Sequence, residues 1–165
     1  QNNCMKKVEI NTNITVYDNL EELKDEEILL LASAKEATFK SYAPYSNFNV
    51  GCAVKLDNGE IISGANQENA AYPACLCAER VVLSAISAIH PNAIPLEMAI
   101  VAINKNKENL APAAPCGECR KAIFEWEKRH KHPIKIFMRG ETGRIFKVDS
   151  IAELLPLAFS KNDLI

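Results

Sequence analysis

Three cysteines and one glutamate in this sequence have the types and spacing of a metal-dependent reaction centre. The stretch AAYPACLCAERVVLSAI contains Cys77 followed by Glu79, and the stretch PCGEC contains Cys116 and Cys119. On a helix, Cys116 and Cys119 lie on one face and can bind the same ion. With Cys77 they supply three thiolates, a donor set that favours tetrahedral zinc. Three protein ligands leave the fourth position for water, as in a catalytic zinc site.

Glu79 and Arg80 follow the first of these cysteines and complete a hydrolytic centre. Zinc lowers the pKa of a bound water from 15.7 to roughly 7, although three thiolates weaken this effect. We predict that Arg80 donates hydrogen bonds to the sulfurs and offsets their charge, and that Glu79 is the catalytic acid and base. Residues two apart on a helix do not face each other. Glu79 therefore reaches the water only if the metal lies over the helix end.

Two simpler interpretations of the cysteines remain open. A closed structural zinc site could use Cys75 as a fourth thiolate, and the C-x-x-C pair could be a redox centre. The first leaves Glu79 unexplained, and the second makes Cys77 a coincidence. The histidines lie at predicted helix ends beside Pro or Lys, and we interpret them as surface residues: His90, His130 and His132.

Two predicted helices position the reactive residues, one over 77–89 and one over 116–130. The first is apolar nearly all round, so we expect it to be buried. Helix N-termini carry partial positive charge, which favours the thiolates that a metal needs. Cys77 and Cys116 are 39 residues apart. That separation accommodates a helix, a strand and a loop, so an α/β fold can bring the two helix starts side by side.

The remaining pattern predicts the sheet on which these helices rest. Period-two alternation predicts a strand over 7–17, and acids before apolar residues predict a helix from Asp25, as N-cap, to the residue before Pro44. Two apolar runs around Asn58-Gly59 predict a hairpin. The other predicted elements are strands over 96–103, 134–139 and 144–148, and a short helix over 150–155. This alternation indicates an α/β class, α/β/α layers around a mixed five-stranded sheet, with an added N-terminal strand whose pairing is undetermined.

Composition limits the classes of partner. The chain has 165 residues, 48% of them hydrophobic, which fits one domain with its own core. The net charge is −2 without a Lys/Arg cluster, so we expect no nucleic-acid partner. No apolar run approaches the roughly 20 residues of a membrane span. Six cysteines without an export signal favour a reducing, cytoplasmic compartment, with metal binding or catalysis rather than disulfides.

Five ordered sequence blocks resemble the small homotetrameric zinc-dependent cytidine deaminases of the cytidine/deoxycytidylate deaminase superfamily. The blocks are YAPYSNFNVG, GANQENAAY, YPACLCAER, PCGECR and LLPLAF, over residues 42–159. A cysteine as first ligand resembles the free-nucleoside enzymes, whereas the nucleic-acid deaminases usually have histidine there. The resemblance implies hydrolytic deamination of cytidine and 2′-deoxycytidine to uridine and 2′-deoxyuridine plus ammonia, in pyrimidine salvage. It also implies a zinc cofactor and a homotetramer whose active sites are shared between subunits.

The same resemblance assigns substrate-binding residues: Phe48, Asn66, Glu68, Ala70, Tyr72 and Phe159. Asn66 and Glu68 resemble the pair that binds the ribose 3′-hydroxyl. A carboxylate accepts strongly from a hydroxyl and repels a phosphate at that position. Phe48 is expected to line the base pocket. The last three are expected to contact the base across a subunit interface, two through backbone and the phenylalanine by stacking.

The sequence departs from the family pattern in several places. Cys75 stands where the family usually has a small residue, and Lys121 replaces a common glutamine. We divide the chain into an N-terminal extension with the added strand, residues 1–24, and a cytidine deaminase domain, residues 25–165. Two alternatives remain, an aminonucleoside-antibiotic deaminase of the blasticidin type and a non-enzymatic structural zinc module.

Overall fold

The computed structural model describes residues 5–108 and 111–164, which form a three-layer α/β/α domain. The strands are β1 (Thr15–Tyr17), β2 (Phe48–Leu56), β3 (Ile61–Ala65), β4 (Pro95–Asn104), β5 (Lys135–Arg139) and β6 (Ile145–Val148). The α-helices are α1 (Asp25–Ala37), α2 (Ala78–Ile89) and α3 (Gly117–His130).

These strands form one mixed sheet in the order β1-β6-β5-β4-β2-β3. The strands β4 and β5 run parallel, and the other neighbours in the described sheet are antiparallel. The predicted α/β/α class and mixed sheet are confirmed. The added N-terminal strand becomes the sixth strand, at the edge of the sheet beside β6.

The two faces of the sheet bury separate hydrophobic clusters. Successive residues of a strand point to opposite faces. Ala99 and Val101 of β4 pack with Leu30 of α1, whereas Met98 and Ile100 lie in the cluster that contains α2 and α3. The two helices that carry the predicted metal ligands therefore share one face of the sheet, with α1 on the other.

The backbone of α1 lies close to β2 at Gly51. A Cβ atom at this position would lie 1.9 Å from the carbonyl oxygen of Ala34 and 2.8 Å from the amide nitrogen of Thr38. Only glycine fits between these backbone atoms. This contact fixes how closely α1 packs on β2. The strand β2 begins at Phe48 and forms one wall of the candidate site.

The boundaries predicted for α1 are wrong at both ends. The helix begins at Asp25 with Lys24 as N-cap, because the carboxylate of Glu27 accepts from the Lys24 amide (3.0 Å). It ends at Ala37 instead of before Pro44. The hydroxyl of Thr38 donates to the Lys35 carbonyl (2.6 Å), and a tighter 3-10 turn begins at Thr38.

Two further expectations are corrected. The strand predicted over 7–17 is present only at Thr15–Tyr17, since the short β6 pairs with those three residues alone. The helix α2 is not buried all round, because it packs on the sheet through one face. Its outer face exposes Ser84 and Ser87, and Ile89 is 60% exposed. In the described part of the chain, no helix is long and apolar enough to cross a membrane.

A buried carboxylate on α3 connects the elements that follow it. Glu127 accepts from the amides of Ile134 (2.8 Å) and Ile151 (3.0 Å) and from the hydroxyl of Ser150 (2.8 Å). The 3-10 turn Ile151–Leu154, close to the helix predicted over 150–155, is thereby fixed against α3. The C-terminal tail therefore leaves the domain from a defined position.

Candidate active site

The three predicted metal ligands converge where α2 and α3 begin. Cys77 and Cys116 are the N-cap residues of these helices, and Cys119 lies one turn inside α3. Their sulfurs lie within 4.8 Å of one another, and the Cys77 and Cys116 sulfurs are 3.7 Å apart. Tetrahedral zinc with Zn–S bonds of about 2.3 Å places its sulfurs about 3.8 Å apart. The donor set therefore fits zinc in chemistry and in spacing.

The environment of the sulfurs favours thiolate. A hydrogen bond from the Cys119 thiol lowers the pKa of Cys77 to about 5, against the opposing effect of burial, and Arg80 contributes further. The same hydrogen bond, with burial, raises the pKa of Cys119. The cluster thus holds a negative charge at Cys77, where the α2 N-terminus also favours it.

Glu79 lies in the first turn of α2, next to the sulfurs of Cys77 and Cys119. Its side chain is buried (4% exposed), yet it contributes to the wall of the cavity above the cluster. Burial raises the pKa of Glu79, and the nearby Cys77 charge raises it further. The Cys119 sulfur lies close enough to the carboxyl to interact with it. The cluster lies over the helix end, so the geometric condition for a Cys77–Glu79 site is met.

Arg80 spans the starts of the two helices. Its guanidinium donates to the Cys75 carbonyl (3.2 Å), pairs with the Glu118 carboxylate (3.2 Å) and hydrogen-bonds to Cys77. The positive charge of Arg80 therefore lies beside the sulfurs. Sequence reasoning did not select Glu118, which holds the guanidinium from α3.

Cys75 lies outside the sulfur cluster. Its sulfur accepts from the Asn69 amide (3.2 Å) and lies 3.6 Å from the Asn69 carbonyl oxygen. Among the described residues, the group with metal-binding geometry contains Cys77, Cys116 and Cys119 but not Cys75. The geometry gives no support to the four-thiolate structural site.

A cavity of about 620 Å³ opens above the cluster, within the size range of small-molecule sites. Four of the residues expected to bind substrate line it: Phe48, Asn66, Glu68 and Tyr72. Two others do not line this cavity, Ala70 and Phe159. The Phe159 side chain is 57% exposed in the tail. A single chain therefore presents part of the expected substrate site.

Glu68 is held at the cavity wall as an ionised acceptor. Its carboxylate accepts from the Ser46 hydroxyl and from the amides of Tyr45 (2.9 Å) and Ser46 (3.3 Å). These bonds, the Ser46 hydroxyl first, lower the pKa of Glu68. Ser46 also lines the cavity and was not selected from the sequence.

Most of the hydrogen-bonding capacity of Asn66 is used within the fold. Its side-chain oxygen accepts from the Val50 amide (2.9 Å) and the Ser41 hydroxyl (2.5 Å), and its side-chain nitrogen donates to the Phe48 carbonyl (2.9 Å). One N–H of the amide remains for a ligand. Asn66 thus fixes the start of β2 and can offer a single donor to the cavity.

Known proteins resemble this chain over most of its length. Residues 24–131 match the family described as the cytidine and deoxycytidylate deaminase zinc-binding region. Cytidine deaminase of Sporosarcina psychrophila is 35% identical over 136 residues, which are 82% of this chain and 92% of that protein. Cytidine deaminase of Halalkalibacterium halodurans is 35% identical over 137 residues, which are 82% of this chain and 96% of that protein.

A solved structure has the same fold. The crystal structure of cytidine deaminase from Burkholderia pseudomallei superimposes with a TM-score of 0.70 at 34% identity, covering 83% of this chain and all of that one. The matched region contains the helix starts that carry the sulfur cluster, Glu79 and Arg80. By family match, relatives and fold, the chain belongs to the cytidine and deoxycytidylate deaminase zinc-binding family.

Proposed function

We propose that this chain is a zinc-dependent hydrolase that converts cytidine and 2′-deoxycytidine, with water, to uridine and 2′-deoxyuridine plus ammonia. The observation that carries the proposal is a three-thiolate cluster beside the buried carboxyl of Glu79, at the base of a nucleoside-sized cavity. The related cytidine deaminases support the substrate class. We place the enzyme in pyrimidine salvage in the cytoplasm.

The chemistry divides between the metal and the carboxyl. Cys77, Cys116 and Cys119 would hold the zinc ion, which would supply Lewis acidity and lower the pKa of the attacking water. Glu79 takes the proton from that water and delivers it to N3 of the ring as the oxygen attacks C4. It then takes the second proton of the water from the C4 hydroxyl and carries it to the exocyclic amine, so that the C4–N bond breaks, C4=O forms and ammonia leaves. Arg80 holds its charge beside the sulfurs and limits the negative charge of the cluster.

Specificity for free nucleosides is assigned to Glu68 and Asn66. The Glu68 carboxylate accepts a hydrogen bond from the ribose 3′-hydroxyl, and the free N–H of Asn66 donates to the same oxygen. A phosphate on that oxygen would meet the carboxylate charge. Phe48 and Tyr72 line the cavity. We assign Phe48 to the base bound in this cavity and Tyr72, as expected from the resemblance, to a contact across the subunit interface.

Ultraviolet assays with cytidine, 2′-deoxycytidine, cytosine, CMP, adenosine and single-stranded DNA test this function. We expect turnover of the two cytidine nucleosides and poor turnover of CMP and of DNA. Glu68→Gln keeps the shape of the side chain without its charge. It should therefore narrow the difference in turnover between cytidine and cytidine 3′-monophosphate. Efficient deamination of an oligonucleotide by the unmodified protein would refute the nucleoside assignment.

We further propose a homotetramer in which Phe159 completes a neighbouring active site. The apolar tail supports this, since Leu157 is 92% exposed and Phe159 57% exposed in the single chain. Arg120 donates to the Leu154 carbonyl (2.9 Å), which fixes the chain just before the tail. An apolar tail of this kind indicates burial against another surface.

Phe159→Ala should weaken cytidine binding roughly 5- to 150-fold with unchanged zinc content, because stacking on a base contributes about 1–3 kcal/mol. Leu164→Ala, at an exposed apolar residue farther along the tail, is the control and should bind cytidine normally. Reassembled mixtures of Phe159→Ala and Glu79→Gln subunits should recover more activity than either variant, since some sites then receive both intact residues. An active species that sediments as a monomer would disprove the shared site.

A further inference from the structure

The segment VEINTNITV, residues 8–16, has the same sequence in both directions except that Glu9 and Thr15 exchange places. We call it the palindromic segment, and Thr12 is its centre. Its apolar residues occupy alternate positions: Val8, Ile10, Ile14 and Val16. Alternation of this kind places all four on one face of an extended chain. The reactions assigned to the cavity make no use of this segment.

The fold leaves this apolar face uncovered. The side chains of Val8, Ile10, Ile14 and Val16 are 85%, 52%, 43% and 46% exposed. In residues 5–14, as far as the structure describes them, the hydrogen bonds to the domain come from the Thr12 hydroxyl and the Asn13 amide, both to Glu153. Among the described residues, most of the segment therefore has no backbone pairing with the rest of the domain.

The C-terminal end of the segment belongs to the edge of the sheet. Residues 15 and 16 are part of β1, which pairs with β6 on one side and is the last strand in the sheet order. The outer side of such a strand presents N–H and C=O groups that can pair with another strand. An edge strand with one exposed apolar face is thus prepared to accept a further strand of matching pattern.

We propose that the palindromic segment pairs antiparallel with the same segment of a second copy of this chain. The two-fold axis passes through Thr12. Val8 then lies opposite Val16 of the partner subunit, and Ile10 opposite Ile14 of the partner subunit. The two sheets join edge to edge into one continuous sheet, and both exposed edges at β1 are removed.

The symmetry of the sequence identifies the occupant as a second copy. In a two-fold interface the same patch of both subunits meets itself, so each pairing occurs twice. Under that symmetry, the palindrome places each of the four apolar residues opposite an apolar residue of the partner subunit. Pairing with an unrelated strand would not require the two halves of the segment to match each other. Two residues outside the segment the charges also agree, because Lys6 lies opposite Asp18 of the partner subunit.

A disulfide at the axis tests the pairing directly. In a Cys4→Ser background, Thr12→Cys places two thiols opposite each other, with Cα atoms about 4.5–5.5 Å apart, within the span of a disulfide. Asn11→Cys is the matched control, because its two copies are diagonal neighbours about 7–8 Å apart. Mild oxidation of dilute protein should give a covalent dimer of Thr12→Cys on a non-reducing gel and little of Asn11→Cys. No dimer, or equal dimer from both variants, would overturn the proposal.

A charge on the apolar face tests the register. In the Thr12→Cys protein, Ile14→Asp places a carboxylate opposite Ile10 of the partner subunit and should reduce the yield of covalent dimer at least several-fold. Asn11→Asp introduces the same charge on the polar face and should leave the yield unchanged. Undiminished cross-linking of the Ile14→Asp protein, or an equal loss in both, would refute the paired apolar stripe. Zinc content reports folding in every variant and does not depend on the deaminase assignment.

Discussion

Glu79→Gln is expected to fold, to keep its zinc and to lose turnover of cytidine. General acid–base catalysis by one group contributes roughly 10²–10⁴-fold, and here the same carboxyl moves two protons, so we expect a loss at the upper end or beyond. Glutamine matches glutamate in shape but neither accepts nor donates the transferred proton. The side chain is buried in the first turn of α2, and the matching size of glutamine is why we expect the fold to remain intact. Steady-state kinetics together with metal analysis would measure both quantities.

Glu118→Gln is the matched control for this variant. Glu118 occupies the same position relative to Cys116 that Glu79 occupies relative to Cys77, and it lines the same cavity. Its side chain is 76% exposed and pairs with Arg80. We expect its loss to change turnover far less than the loss of Glu79. Near-normal turnover by Glu79→Gln, or an equal loss in both variants, would contradict the assigned mechanism.

Cys77→Ala is expected to lose both zinc and activity. The substitution removes one of three thiolates, and the two that remain lie on α3 without a ligand from α2. Structural and catalytic zinc sites in proteins are held by three or four side chains, so a two-cysteine remnant should bind weakly. Metal content after gel filtration should fall from stoichiometric to near background, and turnover should fall with it.

Cys75→Ala separates the catalytic site from a closed structural one. This cysteine is two residues from Cys77 and lines the same cavity, but its sulfur accepts a hydrogen bond from the Asn69 amide. Its removal should leave zinc content and turnover close to those of the unmodified protein. Loss of metal from Cys75→Ala would instead assign it as a fourth ligand and remove the position for water.

The sulfur cluster is predictable from sequence because its three cysteines lie at the starts of two predicted helices. Two helix starts and an i, i+3 pair fix the cysteines once α2 and α3 lie on one face of the sheet. The two glutamates differ for a reason that spacing does not contain. Glu79 and Glu118 both follow a ligand in a C-x-E pattern, yet one is 4% exposed and the other 76% exposed at its side chain. Packing of α2 against the sheet, rather than sequence spacing, buries the first.

Other features depend on contacts between distant parts of the chain. Ser46 becomes a partner of Glu68 only because the turn before β2 lies against the segment after β3, a separation of 22 residues. The predicted N-terminal strand shortens because its length is set by its neighbour β6. Residues 7–17 carry the correct alternation for a strand, but alternation alone does not supply a partner.

The separation of Cys77 and Cys116 along the chain has a consequence for folding. An ion that joins them closes a loop of 39 residues and so restricts the unfolded chain as a covalent cross-link would. By the relation used for disulfides, closing such a loop corresponds to about 4 kcal/mol of lost chain entropy. The bound metal therefore constrains the order of unfolding, because the segment that carries α2 and β4 cannot detach from α3 until the ion is released. Removal of the metal by a chelator should therefore lower both the activity and the stability against unfolding, because both depend on the same metal–sulfur bonds.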